Sequence, residues 1–287
     1  MGSLPTDPVN ATSSGLYYTY VPGGSYEVNG SMESNKYKMA GSSDKVSKDG
    51  GDATALFELG SNIRLNPIDY GDTSLIGWWN FEEGSGSSAG DGSGNGRTGT
   101  LTNGPSWTSG KAGGGIGLDG SNDHVSVPDN AAWYFGTDPF TISMWVRWNS
   151  LVDRESIIGQ SSGPGNVIKW DLVGGMDTSF AYDSTKITLH IWNGSNYFAS
   201  WAWTASSATW YHLAITRSGT DWILFVNGVQ TGGTQTLSVT VPNVSSDLRI
   251  GSDGEAWNFL NGTMDDVRIY NRALSASEIG SVYNATQ

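Results

Sequence analysis

Short runs in which apolar and polar residues alternate dominate the chain, and clusters of Gly, Asn, Asp and Ser separate them. Such alternation puts every second side chain on the same face, which is typical of half-buried β-strands. The pattern predicts strands at residues 140–148, 166–173, 186–192, 197–203, 209–217, 221–230, 247–252 and 265–271. Helical periodicity is nearly missing. The regular spacing of the runs therefore predicts an all-β fold in which two sheets form a sandwich.

Two local signals predict the ends of elements. The pair Asn227-Gly228 stands between two strand-like runs, and Asn-Gly is the strongest short signal of a β-hairpin turn. Ser275 lies three residues before Glu278 and precedes the run ASEIGSVYNA. This spacing is that of a capping box, in which the two residues satisfy each other's backbone N–H groups. We therefore expect a hairpin at Asn227-Gly228 and one short helix near the C-terminus.

Residues 1–74 differ from the rest of the chain, because they contain none of the 13 tryptophans. Tyr-rich alternation in GLYYTYVPGGSYEVNGSME breaks at the Pro-Gly-Gly turn, which predicts a hairpin. A Gly-, Asp- and Ser-rich connector follows at residues 41–55, and LFELGSNIRLNP predicts one more strand. We place the boundary near residues 70–76. The predicted organisation is a small β-rich segment at 1–74 and a larger domain at 75–287.

Charge and cysteine content exclude several classes of function. The formal net charge is −13 at pH 7, whereas nucleic acids and anionic lipids require clustered Lys and Arg. We therefore expect cations, and no nucleic acid, as partners. The sequence has no Cys, which excludes disulfides and thiolate metal sites. No run of 18 apolar residues occurs, so we expect these residues to make no direct contact with a membrane.

Asp265 is the acidic residue whose predicted position is the most costly. It opens the final strand-like run and shares the parity of Val267 and Ile269, which predicts that its side chain points toward the apolar side. A buried carboxylate needs compensation, and a cation, backbone N–H groups or an Arg could supply it. A divalent cation is our preferred hypothesis. Asp266 and Arg268 share the opposite parity, and we expect them to pair.

Five stretches carry a family resemblance, and they occur in the family's order. They are LIGWWNFEEGSGSSAGDGSGNGRTGTL, GKAGGGIGLDGSNDHVSVPD, FTISMWVRW, WYHLAITRSGTDWILFVNGVQ and GTMDDVRIYNRALSASEI. Together they cover about residues 75–284, and this region resembles the laminin-G-like, concanavalin-A-like jelly-roll domains of bacterial surface proteins. The resemblance implies two antiparallel sheets packed face to face, a structural calcium, and a glycan- or protein-binding role.

The resemblance also implies which residues hold the calcium. Oxygen-bearing side chains at positions that match the family are Glu83, Asp91, Asn95, Asp119 and Asp265. Related jelly-roll glucanases begin their final strand with a similar Asp-x-Val-Arg-x-Tyr, whose aspartate binds calcium, and this points to Asp265 rather than Asp266. Calcium takes six to eight oxygens, and no His joins the set, which argues against zinc. The alternative for the loop residues is that they are simply turn formers.

The tryptophans are more numerous than a sandwich core needs, and several have polar neighbours. Trp201 and Trp203 share one face of a predicted strand, about 7 Å apart, and Trp192 shares the parity of His190. Aromatic rings stack on the C–H faces of sugars, while amides, acids and His bind the hydroxyls. We predict a ligand-binding platform formed by Trp170, His190, Trp192, Trp201, Trp203 and Trp257. The alternative is that these rings fill the interior of the sandwich.

Catalysis has little support in the sequence. A glycosidase needs two carboxylates about 5–9.5 Å apart across a groove, and no predicted strand between residues 186 and 230 carries two acids. Asp153 and Glu155 are two residues apart, but we place them in a solvated loop. The three histidines stand apart, and no Gly-x-Ser-x-Gly nucleophile turn occurs. We therefore expect that the protein is not an enzyme.

The first segment resembles a different family. LPTDPVN, followed by a Tyr-rich stretch and YEVNGSMESNKYK, is similar to the region after the helix in bacterial type IV pilins and pseudopilin-like proteins. Members of that family carry an N-terminal apolar helix, which this sequence lacks, and the opening Met-Gly-Ser resembles an expression tag. We therefore expect the full-length protein to have an N-terminal membrane helix.

These observations together predict a non-catalytic extracellular binding module with a structural calcium, displayed on a bacterial surface or pilus-like fibre. Carbohydrate is the expected ligand. The alternative is a protein-binding adhesion or structural module of a surface appendage, and a glycoside hydrolase is the third candidate.

Overall fold

The structure is a computed structural model that describes residues 18–22, 26–30, 57–60, 72–165, 167–254 and 258–286. The chain divides into two compact units, one of residues 1–72 and 280–287 and the other of residues 73–279. The larger unit contains every residue that the sequence singles out as a candidate ligand.

The smaller unit contains a three-stranded antiparallel sheet. Its strands are β1 (Tyr18–Pro22), β2 (Tyr26–Gly30) and β3 (Phe57–Gly60), in that spatial order. The hairpin and the additional strand predicted for this segment are thereby confirmed. The remaining residues that carry the pilin-like resemblance lie outside the described part of the chain, so that resemblance stays a prediction.

The described part of the larger unit contains sixteen strands, which form two sheets, and every strand pairing is antiparallel. In chain order the strands are β4 (Leu75–Trp79), β5 (Ser88–Ala89), β6 (Gly99–Thr102), β7 (Ser106–Ser109), β8 (Gly114–Asp119), β9 (His124–Val127), β10 (Phe140–Trp148), β11 (Glu155–Ser161), β12 (Lys169–Met176), β13 (Tyr182–Trp192), β14 (Asn196–Ala202), β15 (Trp210–Ser218), β16 (Asp221–Val226), β17 (Val229–Thr236), β18 (Leu248–Ile250) and β19 (Asn261–Tyr270). Sheet 1 has the order β17-β16-β15-β10-β19-β8-β7, with β4 also beside β19, and sheet 2 has the order β14-β13-β12-β11-β18-β9-β6-β5.

The apolar positions of both sheets face each other and form one core. On β10 the core residues are Phe140, Ile142 and Met144, continuing at every second position to Trp148, and β13 contributes Ile187 among others. This alternation is the pattern from which the strands were predicted, and β10 has the predicted bounds. The all-β, two-sheet antiparallel sandwich predicted from the sequence is confirmed.

The predicted turn and cap are also present. Asn227 and Gly228 have φ angles of 50° and 76°, as the hairpin turn between β16 and β17 requires. Helix α1 (Ala276–Ala285) follows the capping box, in which Glu278 accepts a hydrogen bond from the backbone N–H of Ser275 at 2.7 Å. No helix in the described ranges is long and apolar enough to cross a membrane.

A β-bulge interrupts β19 where its neighbour on one side changes. Strand β8 pairs with residues 261–264, whereas β4 pairs with residues 267–270. Between these two stretches Asp266 adopts a φ of 55°, and the register with β10 shifts. A bulge puts two residues where the partner strand has one, so it reverses the alternation of faces beyond it.

The bulge corrects the predicted orientation of Asp265. Met264 and Val267 both lie in the core, whereas Asp265 pairs with Trp145 on the outer face of sheet 1. The prediction that Asp265 points toward the core is therefore wrong. The predicted pairing of Asp266 with Arg268 is confirmed, because their side chains form a salt bridge.

Candidate functional site

Asp265 is buried under a glycine-rich loop rather than in the core. Its Oδ2 atom accepts hydrogen bonds from the backbone N–H groups of Lys111 (2.9 Å) and Ala112 (3.0 Å), and the residue is 1% exposed. A Cβ at Gly110 would lie 2.5 Å from that oxygen, so the loop can come this close to Asp265 only because residue 110 is a glycine. Burial raises the pKa of Asp265 to about 7, although the two hydrogen bonds lower it. The backbone thus supplies part of the compensation that this carboxyl needs.

Further oxygen atoms lie close to the Asp265 loop. Glu82 accepts a hydrogen bond from the backbone N–H of Gly114 at 3.1 Å, and a Cβ at Gly114 would lie 2.4 Å from the carbonyl oxygen of Phe81. Within the described residues, Oδ1 of Asp265 receives no hydrogen bond. Asp265, Glu82 and the neighbouring carbonyl groups form an oxygen-only set of donors, which suits calcium and does not suit zinc.

Asp91 and Asn95 organise the loop after β4 instead of joining Asp265. Asp91 accepts hydrogen bonds from the backbone N–H groups of Trp78 (3.0 Å), Ser93 (3.0 Å) and Arg97 (2.9 Å). Burial alone would raise the pKa of Asp91, but these hydrogen bonds lower it overall. Asn95 donates to a carbonyl of β4 at 3.2 Å. Both residues act here as turn formers.

Glu83 and Asp119 also lie apart from Asp265. Glu83 accepts a hydrogen bond from the backbone N–H of Gly90 at 2.6 Å. Asp119 pairs with Asn261, four residues before Asp265 on β19, which corresponds to about 13 Å along a strand. In the described ranges no group of three or more His, Asp or Glu is arranged to hold a metal. Among the described residues, the five predicted calcium ligands therefore do not come together as one group.

Two of the predicted ligand-binding tryptophans, Trp170 and Trp201, are core residues. Each is 1% exposed. The indole N–H of Trp170 donates to Gln160 (3.0 Å), and that of Trp201 donates to the carbonyl of Gly233 (3.1 Å). They point inward because they share the parity of core neighbours, as Trp170 does with Leu172. Both rings therefore fill the interior of the sandwich, which is the alternative that the sequence left open.

The structure does not bring Trp203 to the predicted platform either. Trp203 is half-buried and packs against the core, with its ring centroid 5.9 Å from that of Trp148 and 4.8 Å from that of Tyr211. Trp257 lies outside the described residues, so its role stays a prediction.

His190 and Trp192 lie on the outer face of sheet 2. Their neighbours Leu189 and Ile191 face the core, and successive side chains of a strand point to opposite faces. The strand register places Asp171 and Phe198 directly beside His190, and Lys169 and Asn196 directly beside Trp192. Directly opposed residues on neighbouring strands share a face. We refer to this surface as the His190 face; its members are Lys169, Asp171, His190, Trp192, Asn196 and Phe198.

A line of polar contacts crosses the His190 face. His190 Nδ1 lies 3.0 Å from Asp171 Oδ1, and His190 Nε2 lies 2.9 Å from Asn196 Oδ1. Each ring nitrogen thus lies within hydrogen-bonding distance of an oxygen atom, and the tautomer of the ring determines which nitrogen donates. Asp171 and His190 are each 3% exposed, whereas Asn196 is exposed. The line therefore runs from a buried carboxylate to a surface amide.

A loop residue, Phe180, extends the aromatic part of this face. Its ring centroid lies 5.1 Å from that of His190 and 5.2 Å from that of Phe198. Asp177 holds the loop by accepting hydrogen bonds from the side chain and the backbone of Ser179, and these bonds lower the pKa of Asp177. Phe180 is 38% exposed, so its ring is open to a ligand.

A second buried carboxyl, Asp253, comes from the loop after β18. Burial raises the pKa of Asp253 to about 7; the charge of Asp171 adds to this rise, while Lys169 and Arg249 oppose it. A carboxylate beside a carboxyl of raised pKa is the combination that glycosidases use. However, Asp253 is only 2% exposed, so neither acid is open to a substrate.

Ser143 and His212 form a hydrogen-bonded pair in sheet 1. Ser and His are the residue types of a catalytic nucleophile and its general base, but the location of this pair excludes that role. Ser143 Oγ lies 2.9 Å from His212 Nε2, and both residues are 0% exposed. Burial lowers the pKa of His212 to about 3, and the charge of Arg268 contributes. Because no substrate can reach them, we assign the pair a structural role.

A family model described as the concanavalin A-like lectin/glucanases superfamily (Laminin_G_3) matches residues 119–280, more than half of the chain. A search among curated proteins found no match.

Solved structures with a similar fold include domain 4 of AbnA, an extracellular GH43 arabinanase from Geobacillus stearothermophilus, in complex with arabinotriose. It is 22% identical over 75% of this chain and 98% of that chain, with a TM-score of 0.60. The botulinum neurotoxin serotype G binding domain is 17% identical over 73% of this chain and 50% of that chain (TM-score 0.58). The binding domain of Paraclostridial Mosquitocidal Protein 1 is 18% identical over 74% of this chain and 52% of that chain (TM-score 0.56).

This chain therefore spans about half of each toxin binding domain. At such low identity these likenesses show the fold alone, which agrees with the two-sheet sandwich described above. On the strength of the family model, the chain belongs to the concanavalin A-like lectin/glucanases superfamily.

Proposed function

We propose that the chain is a non-catalytic carbohydrate-binding module whose ligand binds at the His190 face. The observation that carries this proposal is the combination of partly exposed rings with a polar line that ends in a surface amide. Trp192 and Phe180 offer surfaces on which the C–H face of a sugar stacks, and Asn196 offers donors and acceptors to its hydroxyls. Asp171 orients the ring of His190, and the other nitrogen of that ring holds the side chain of Asn196 in position.

The similar solved structures support this ligand class without assigning it. Domain 4 of AbnA is in complex with arabinotriose, and the two toxin domains are binding domains. An extracellular location, on a bacterial surface or pilus-like fibre, is part of the same proposal. The acidic net charge of −13 favours a neutral ligand over an anionic one.

Substitution of Trp192 by Ala is expected to weaken glycan binding about fivefold, because stacking on an aromatic ring contributes on the order of 1 kcal/mol. The measurement is a glycan array, followed by titration calorimetry with arabinotriose and with any glycan that the array identifies. Val229→Ala is the control, since Val229 is an apolar residue of sheet 1 that is 67% exposed.

Equal loss in both variants would contradict binding at the His190 face. A second outcome would favour a protein ligand over carbohydrate. In that case the array gives no signal, and the chain captures a defined surface protein that the Trp192→Ala variant no longer captures.

Glycoside hydrolysis is the second candidate, and the Asp171–Asp253 pair is the observation that favours it. Since both side chains are buried, we expect no release of reducing sugar from arabinan or other polysaccharides. Release that Asp253→Asn abolishes, in a variant that still binds the polysaccharide, would overturn the non-catalytic proposal.

We further propose a structural calcium ion at the Asp265 loop, held by Asp265, by Glu82 and by carbonyl groups of the adjoining backbone. Support comes from the burial of Asp265, the raised pKa of its carboxyl, and its Oδ1 atom, which receives no hydrogen bond from the described residues. The ion would neutralise this carboxylate and join β19 to the loop between β7 and β8.

A further inference from the structure

A groove of about 500 Å³ crosses the outer face of sheet 1. The register aligns Arg147 of β10, Thr263 of β19, Gly117 of β8 and Ser106 of β7 in one row across four adjacent strands. The two middle positions carry the small residues Thr263 and Gly117, whereas the longer side chain of Arg147 stands at one side. The small residues leave space above the middle strands, and this space is the groove.

Close packing of the backbone forms the floor of the groove. A Cβ at Gly262 would lie 2.3 Å from the carbonyl oxygen of Arg147, so the neighbouring strands meet there without side chains between them. A Cβ at Gly117 would lie 2.7 Å from Ser106 Oγ. The space above these glycines is thus bounded by polar groups rather than filled by side chains.

Acceptor groups line one end of the groove. Asp119 and Asp123 both face it, and Asn103 and Asn149 stand beside them. Asp123 is 5% exposed, and in the described part of the chain it accepts a single, long hydrogen bond, from the backbone N–H of Asp119 at 3.3 Å. A buried carboxylate with so few protein donors has capacity for donors from a ligand.

Donor groups line the other side. The guanidinium of Arg147 makes no hydrogen bond or ion pair with any other described residue, although the side chain is half-buried. Arg presents five N–H donors in a fixed geometry. The groove thus combines unused donors at Arg147 with unused acceptors at Asp123, and no aromatic ring lies among the lining residues.

We infer that this groove is a second binding site, for a neutral hydroxylated ligand such as one or two sugar units of a glycan. Hydroxyl groups both donate and accept, so one ligand can satisfy Asp123 and Arg147 together. The paired carboxylates Asp119 and Asp123 disfavour an anion, and Arg147 disfavours a cation. The polar lining disfavours an apolar ligand, which needs the mostly apolar walls of ordinary pockets.

The groove and the His190 face lie on opposite sheets. The inference shares the ligand class of the proposed function, but binding in the groove does not require binding at the His190 face. A module with a site on each sheet can hold two glycan chains at once, which raises its avidity for a glycan-coated surface.

The test is an NMR titration of the isotope-labelled full chain with arabinotriose, cellotriose and maltotriose, with glucuronic acid as the charged comparison. We expect a neutral oligosaccharide to shift the amide signals of Gly117, Gly262 and Thr263. Signals of Trp192 and Asn196 report on the His190 face separately, so failure of one site is distinguishable from failure of the other.

Two variants test the assignment to the groove. Ser106→Trp fills the groove from an exposed position on β7, and Arg147→Met removes the donors while keeping most of the side chain. Each is expected to weaken binding in the groove about tenfold or more and to leave the His190 face unchanged. Trp192→Ala is the matched control and is expected to do the reverse.

Thermal melts show whether each variant is folded, and Arg147→Met carries the test if Ser106→Trp does not fold. Absence of any shift at the groove amides with all three neutral sugars at millimolar concentration would overturn the inference. Shifts caused by glucuronic acid alone would also overturn it, as would groove shifts that persist unchanged in both groove variants.

Discussion

Removal of calcium by a chelator is expected to lower the melting temperature of the protein by about 5–15 °C. An ion at 100 to 1,000 times its Kd stabilises the folded state by about 2.7–4.1 kcal/mol. One kcal/mol corresponds to about 2–4 °C in a domain of this size. The effect is large because the ion would neutralise Asp265, a carboxylate that is 1% exposed and whose pKa burial raises to about 7.

The Asp265→Asn variant separates the ion from the hydrogen bonds. Asn keeps an oxygen that accepts from the N–H groups of Lys111 and Ala112, but it carries no charge to be neutralised. We expect its melting temperature to be the same with calcium and with chelator. The control is Asp119→Asn, about 13 Å along the sheet, which is expected to respond as the unchanged protein does.

Differential scanning calorimetry in calcium and in chelator measures both effects. Equal melting temperatures of the unchanged protein in the two solutions, from pH 6 to 8, would contradict the calcium site. In that case the two backbone N–H groups would be the whole compensation for Asp265, which was one of the alternatives at the level of the sequence.

The strands and the core could be predicted because local alternation determines them. A strand such as β10 carries its core residues at every second position, and no distant partner is needed to see this. The Asn227-Gly228 turn and the Ser275–Glu278 cap are equally local. Each of these features depends on residues at most a few positions apart.

Alternation failed where the backbone departs from a regular strand. The sequence from Asp265 to Ile269 contains nothing that marks Asp266 as a bulged residue, because the bulge arises where β19 exchanges β8 for β4 as its neighbour. The bulge at Asp266, which has a positive φ, reverses which side chains of β19 point to the core on its N-terminal side. The sequence correctly predicts that Asp265 is buried. It places Asp265 in the core, however, whereas the structure places it under the loop that contains Lys111 and Ala112.

The His190 face could be predicted only in part because it depends on register between strands. Parity alone placed His190 and Trp192 on a polar face. It did not reveal that Asp171 and Phe198 align with His190, since this requires the pairing of β12, β13 and β14. Register likewise aligns the groove row that contains Arg147, which no pattern within one strand indicates.

Glu155 shows the same limitation and leads to a pH-dependent effect. The sequence places Glu155 in a solvated loop, and this prediction is wrong: the residue begins β11 and is 4% exposed. Its carboxyl accepts a hydrogen bond from the backbone N–H of Asn261 at 3.0 Å and so links sheet 2 to sheet 1. Burial raises the pKa of Glu155 to about 8, against the lowering effect of that hydrogen bond.

Substitution of Glu155 by Gln is expected to stabilise the protein above about pH 5, with a gain that grows to a few kcal/mol near pH 8 and is then constant. The folded state keeps a proton that the unfolded chain loses near the ordinary pKa of 4.5. Stability contributed by this group is therefore complete below about pH 4.5 and is lost as the pH rises to 8. Gln accepts the same hydrogen bond from Asn261 and has no proton to lose, so it avoids this loss.

Urea unfolding of both proteins between about pH 4 and pH 9 measures the difference, and other titrating groups cancel because they are common to the two chains. Glu83→Gln is the matched control, because Glu83 is an exposed carboxylate and its substitution is expected to change the free energy of unfolding little at any pH. A Glu155→Gln difference that does not vary with pH would show that Glu155 is ionised in the folded protein. The link between the two sheets would then be a charged hydrogen bond, and the same substitution would weaken it instead of stabilising the fold.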